Sequence, residues 1–195
     1  MITSMKQHSD QSLVQLFRNG NDAAISELIC RYQGNVYTSI YFLVKDKYVA
    51  EDLFQETFLK TIHHLRKDGY EEQGKFLPWV LRIAHNLCID HFRKIKQQVK
   101  ITLPNGDDFF SQLTCPEAHA ESSCIRQQTG HTVQQMVDQL PQEQKEVVVL
   151  RVYGELSFKE IADITGVSIN TALGRMRYAL NNMRRMIQEK NLVLR

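Results

Sequence analysis

The sequence predicts an all-α protein, two small helical domains joined by a flexible acidic linker. Three observations predict it. Apolar residues recur at steps of three and four from Ser12 to Gln97, with no strand-like alternation. That pattern fails from about Lys100 to Gly130, where Pro104-Asn105-Gly106-Asp107-Asp108 and Thr114-Cys115-Pro116 are turn signals. It resumes between Leu140 and Met186 as two helices joined by a glycine turn. The boundaries expected are residues 1–98 for the first domain, 99–130 for the linker and 131–195 for the second domain.

A short first helix, about Gln11 to Arg18, stops at Asn19-Gly20. Asn21 or Asp22 then caps a long helix with Ala24, Ile25, Leu28, Ile29, Tyr32, Val36, Ile40 and Leu43 as its buried stripe, ended by Lys45-Asp46-Lys47. A third helix, about Val49 to Lys67, turns Leu53, Phe54, Phe58, Ile62 and Leu65 inward. Its early turns carry Glu51, Asp52, Gln55 and Glu56, which suit the positive end of the helix dipole. The same acidic face, with Leu53 and Phe54 beside it, also suits a partner helix, and the residues alone leave both readings open. Asp68 to Gly74 is a loop by its glycines and charges.

Pro78 fits the first turn of a fourth helix. Trp79, Val80, Ile83, Leu87 and either Cys88 or His91 trace its apolar side; Arg82, His85, Asn86, Asp90, Arg93 and Lys94 trace the other. Between Arg82 and Lys100 five cationic residues face Asp90 alone. A basic face beginning at the only Trp fits single-stranded nucleic acid, which is held by cationic grooves with aromatic platforms; Trp79 as plain core fits equally. The linker is acidic, with Asp107, Asp108, Glu117 and Glu121 against Arg126, and a short helix is expected from Pro116 onward.

In the second domain, Ser157 and Glu160 form a capping box that starts a helix with Ile161, Ala162 and Ile164 inward. Gly166 ends it in a left-handed turn and Ser168 caps the next helix, whose apolar side is Ala172, Met176, Ala179 or Leu180, Met183 and Ile187. Its other face carries Asn170, Thr171, Arg175, Arg177 and Tyr178, groups that hydrogen-bond base edges and phosphates. An ordinary helical hairpin would share the cap and glycine. From Arg175 onward, however, six cationic residues stand against Glu189, which favours a polyanion and the helix-turn-helix geometry of major-groove binding.

Composition bounds the rest. With 195 residues, 43% of them hydrophobic, the chain can bury a core in each domain, and its net charge of +2 would not by itself point to nucleic acid. Met1 to Asp10 lacks the apolar stretch of a secretory leader, and no apolar run reaches the roughly 18 residues that span a bilayer, so a cytoplasmic protein is expected. Cys30 and Cys88 read as buried apolar residues. Cys115, His119, Cys124 and His131 carry donor atoms for zinc, but their spacing matches no standard site. No phosphate-binding glycine loop, HExxH or GxSxG occurs. No cofactor, metal or small-molecule substrate is expected.

Three stretches carry a resemblance. Ala50-Glu51-Asp52-Leu53-Phe54-Gln55-Glu56-Thr57-Phe58 resembles the sigma-70 region 2 helix that binds the clamp helices of RNA polymerase. Phe76 to Asn86, with Asp90 and Arg93, resembles the helix that reads and melts the minus-10 element, and Leu140-Pro141 to Ala179 resembles region 4, which reads the minus-35 element. The small size is similar to the extracytoplasmic-function (ECF) group. The resemblance implies a specificity subunit without catalysis of its own, and partners in core RNA polymerase (clamp helices and flap) and promoter DNA. It also implies an anti-sigma factor, often membrane-bound. Asp52, Leu53, Phe54, Gln55, Glu56 and Phe58 would meet polymerase; Trp79, Arg82, His85, Asn86, Asp90, Arg93 and Lys94 would meet minus-10 DNA. Ser168, Asn170, Thr171, Leu173, Gly174, Arg175, Arg177 and Tyr178 would meet minus-35 DNA. One departure stands out: Leu173-Gly174-Arg175 replaces the Lys-Ser-Arg step frequent in the family.

Two rival readings differ in kind. An autonomous helix-turn-helix regulator would form a stable dimer on a palindromic site, and a metalloenzyme on the Cys and His residues named above would purify with stoichiometric zinc.

Overall fold

A computed structural model describes residues 2–67, 75–98 and 126–189, and among them the α-helices are α1 (Asp10–Arg18), α2 (Asp22–Val44), α3 (Lys47–Arg66), α4 (Phe76–Gln98), α5 (Arg126–Asp138), α6 (Gln142–Val152), α7 (Phe158–Thr165) and α8 (Ile169–Glu189). A 3₁₀ turn at Ile2–Gln7 precedes them. The loop expected at 68–74, residues 99–125 of the linker expected at 99–130, and Cys115, His119 and Cys124 lie outside the described residues; α5 begins at Arg126, inside the stretch expected to be linker.

Local chemistry sets the ends. Ser9, Asn21 and Asp46 cap α1, α2 and α3 through side-chain oxygens that accept the Ser12, Ala23 and Val49 amides. The polar break expected at Lys45-Asp46-Lys47 narrows to Lys45, which turns the chain in a left-handed conformation (φ 59°), and the capping Asp46. Inside α3, Thr57 and Thr61 are fully buried, and their hydroxyls donate to the carbonyls of Leu53 and Thr57 at 2.7 and 2.8 Å, so no polar atom is stranded.

α1 to α4 pack as one bundle around Leu13, Leu28, Ile40, Leu65, Phe76 and Leu81. α5 to α8 do not stand apart from it. α6 lies between α2 and α8, and it is buried on every side across Lys145 to Leu150, which explains an apolar run that follows no helical stripe. Val147, Leu150, Leu156 and Ile161 join the same apolar cluster as the first four helices, while Phe42 of α2 joins the cluster of Val137, Leu140, Val148, Val149 and Ala179.

The seam between the halves is specific as well as apolar. Phe42 stacks on Tyr153 with ring centroids 4.5 Å apart, worth about 0.5–1.5 kcal/mol beyond its area. Asn35 Nδ2 donates to the Tyr153 carbonyl at 2.8 Å, and Lys45 Nζ pairs with Asp138 while sitting over the Phe42 ring. Gly154 is required by sterics: a Cβ there would lie 2.6 Å from the Leu150 carbonyl oxygen and 2.9 Å from Leu81 Cδ1 on α4. At the seam's centre His85 Nε2 lies 3.8 Å from Glu146 Oε2, with both residues buried at 6% and 8% exposure. That distance is a charge contact when the ring is protonated, not a hydrogen bond, and the ring nitrogens have no hydrogen-bond partner among the described residues.

Burial pushes the Glu146 carboxyl up, but His85, the amide of Gln142 at 3.2 Å and the charge of Arg175 together outweigh burial and hold it below its ordinary range. A carboxyl depressed in the folded state stabilises above its unfolded pKa of about 4.3, and the gain is lost as pH falls through the lower, folded value. Urea unfolding should therefore show a midpoint that drops from about pH 6 to about pH 3.5 more steeply in the native chain than in Glu146→Gln; equal slopes would remove Glu146 from the acid response. Gly154→Ala should destabilise by about 1–3 kcal/mol, a melting-point loss of about 2–4 °C per kcal/mol by calorimetry. An unchanged melting temperature would mean that α4 and the turn after α6 are not held at this separation.

Candidate functional site

Three surfaces carry the residues singled out by sequence. On α3, Asp52, Gln55 and Glu56 are exposed on one face, where Glu56 makes a surface pair with Lys60 at 3.1 Å. Surface pairs of this kind contribute little to stability, which leaves the carboxylates available. Leu53 and Phe58 are buried in the core instead, and Phe54 is half-buried between Tyr37 and Phe58 at centroid distances of 5.9 and 5.0 Å. Leu53 reaches the surface only at the floor of a groove of about 440 Å³ between α3 and α4. A contiguous run wraps the whole circumference of a helix, so only part of Asp52 to Phe58 shares the acidic face. Leu59, missed in the sequence, does share it and is 67% exposed. The signal was its spacing, seven residues beyond Asp52 and so two turns along the same stripe.

On α4, Arg82, Asn86, Asp90, Arg93 and Lys94 are exposed along one face, and Arg93 donates to Asp90 at 3.0 Å. Trp79 opens this face. It is half-buried, with ring centroids 6.0 Å from Phe76 and 6.3 Å from His64. His85 does not belong to the face: it turns the other way, into the seam against Glu146. Periodicity placed His85 beside Arg82 and Asn86, but a partner 61 positions downstream decides its burial.

On the α7 and α8 pair the sequence grammar holds in detail. Ser157 accepts the Glu160 amide at 3.3 Å while Glu160 accepts the Ser157 amide at 2.9 Å, completing the capping box. Burial pushes the Glu160 carboxyl up, and the bonds from Ser157 with the charge of Lys75 more than reverse it, leaving the carboxyl low. Gly166 closes α7 with φ 69°, and Ser168 Oγ accepts the Thr171 amide at 3.0 Å to start α8. Ser168 and Thr171 also bond to each other through their hydroxyls at 2.8 Å, so both are engaged in the cap.

Ala172 and Ala179 are the buried residues of α8, and their small size lets α8 lie close against α6. The opposite side presents Asn170, Thr171, Leu173, Arg177 and Tyr178 to solvent. Arg175 is half-buried on the flank, close enough for its charge to act on Glu146. Gly174 lies within the helix without a left-handed φ, at a propensity cost of about 1 kcal/mol relative to alanine.

Cys88 is fully buried and its thiol is pushed up to about 12 by burial and by the Glu146 charge. Cys30 corrects the sequence expectation: it is exposed, because it falls on the far side of α2 from Leu28. Among the described residues no group of three or more His, Cys, Asp or Glu side chains is placed to hold a metal ion, and no helix is long and apolar enough to cross a membrane.

Comparison with known proteins joins these surfaces. Residues 28–98 match the family model for Sigma-70 region 2, and residues 131–180 match Sigma-70, region 4. The ECF RNA polymerase sigma factor SigM of Bacillus subtilis (strain 168) is 30% identical over 144 residues, covering 74% of this chain and 83% of SigM. SigW of the same strain is 26% identical over 180 residues, covering 90% of this chain and 95% of SigW. In fold, the chain is similar to CnrH in complex with the cytosolic domain of CnrY (TM-score 0.65, 20% identity, 93% of this chain and 99% of that one). It is similarly close to the sigma factor RpoE in complex with the anti-sigma factor NepR from Bartonella quintana (TM-score 0.66, 20% identity, 84% and 96%). The acidic face, the cationic helix and the helix-turn-helix thus sit in a chain that belongs to the ECF sigma factors, the sigma-70 family subunits that direct transcription initiation by RNA polymerase.

Proposed function

We propose that the three surfaces divide the work of initiation as follows. The α3 face of Asp52, Gln55 and Glu56, with Leu59 as its apolar centre, docks on the clamp helices of core RNA polymerase. The α4 face of Trp79, Arg82, Asn86, Arg93 and Lys94 takes the minus-10 element and holds its opened strand. The outward face of α8, with Asn170, Leu173, Arg177 and Tyr178, reads the minus-35 duplex, and the second domain also meets the polymerase flap. The chain supplies recognition in the cytoplasm and no catalysis, and an anti-sigma factor holds it between uses. The observation that carries this reading is the separation of an anionic face on α3 from cationic faces on α4 and α8, each on the segment that matches the corresponding sigma region.

The closed seam adds a condition. The two elements are named for positions about 25 base pairs apart, on the order of 85 Å at 3.4 Å per base pair. A compact chain of this size is only about 35–40 Å across. The seam therefore parts when both elements are held, and a tether then makes the second contact intramolecular, so two weak readers suffice.

Reversing Asp52 and Glu56 together to lysine should abolish assembly with core polymerase and RNA output, with the melting temperature unchanged because both side chains are exposed. Leu59→Ala should weaken assembly about tenfold, as loss of a buried leucine contact would. Assembly titrations and in vitro transcription measure both; unimpaired assembly by the double reversal would exclude the α3 docking face.

A further inference from the structure

We propose that Gly174 is a specificity-determining residue whose missing side chain forms a notch for the 5-methyl group of a thymine in the major groove. This inference rests on the reading of α8 as the minus-35 helix. Nothing among the described residues calls for glycine at this position. The backbone there is not left-handed, and among the described residues a Cβ added at Gly174 would meet no atom within 4 Å beyond its chain neighbours and the nearby backbone of α8. Each residue advances about 100° around a helix, so Gly174 points about 200° away from the buried Ala172, near the centreline of the outward face. The gap therefore opens toward whatever α8 lies against.

Its walls say what enters. Asn170 and Tyr178, one turn before and one turn after, border the notch, and Leu173 and Arg177 stand on one flank. Two of these four are large apolar groups left in solvent, Leu173 at 43% and Tyr178 at 65% exposure. The floor is Cα and backbone, and Thr171, on the other flank, has its hydroxyl engaged with Ser168 at 2.8 Å. A protruding, apolar substituent on a base edge suits that lining, and in the major groove the thymine methyl is that substituent. Glycine is the residue that permits such close backbone approach.

The test uses holoenzyme assembled from the full chain and core RNA polymerase. It selects binders from a duplex library randomised across the promoter. The selected duplex is then remade with deoxyuridine for each upstream thymine in turn, which removes only the methyl. At one position this change should weaken binding by the native chain about five- to tenfold. Gly174→Ala should bind the original duplex about tenfold more weakly and prefer the deoxyuridine duplex, because the added Cβ occupies the space the methyl vacates. The same variant should assemble normally with core polymerase and melt about 2–4 °C higher, since alanine favours the helix. A Gly174→Ala holoenzyme that binds the selected duplex within twofold of native, or shows no deoxyuridine preference, overturns the notch alone. Selection with no upstream preference by the native holoenzyme overturns the assignment of α8 itself, and this inference with it.

Discussion

Burial of α6 between α2 and α8 is the constraint from which the arrangement of the molecule follows. Helices that are apolar on one stripe need one neighbour; one that is apolar all round needs several. Val147 to Leu150 offer no polar side to water, so the second set of helices closes over the first. The seam then orients the other parts. Gly154 sets how near α4 can come, Phe42 and Tyr153 fix the register of α2 against the turn after α6, and His85 with Glu146 fills the buried centre. The acidic face of α3 and the outward faces of α4 and α8 are what remain on the surface.

Much of this was legible in the sequence wherever the determining interaction is local. The capping box at Ser157, the left-handed Gly166 and the Ser168 cap involve partners three or four residues away, and each forms as read. Helices α1 to α4, α7 and α8 follow from apolar spacing, with ends displaced by a few residues, whereas α5 begins inside the stretch expected to be linker and α6 has no stripe to read. The sigma family was also readable, since three short stretches carry it in order.

What was not legible depends on partners far along the chain. His85 lies next to Arg82 and Asn86 on any helical wheel, yet Glu146 draws it inward. Cys30 has the composition of a core residue and lies on an exposed arc of α2. Leu53 and Phe58 share a motif with Asp52 and Glu56 but not a surface, whereas Leu59 lies beyond the motif and shares the surface. Motif resemblance identifies a stretch; only three-dimensional packing separates the residues that hold the helix in place from those that meet a partner.

The all-round burial of α6 also limits how the molecule can unfold its reach. Any state in which the DNA-reading half swings free turns Val147 and Leu150 toward solvent, and apolar area on that scale is strongly disfavoured in water. An isolated, extended monomer would therefore be costly in water and open to self-association. If the seam parts as proposed, the extended form would last only where a foreign surface substitutes for α2, which would couple the change of shape to the arrival of the larger machine.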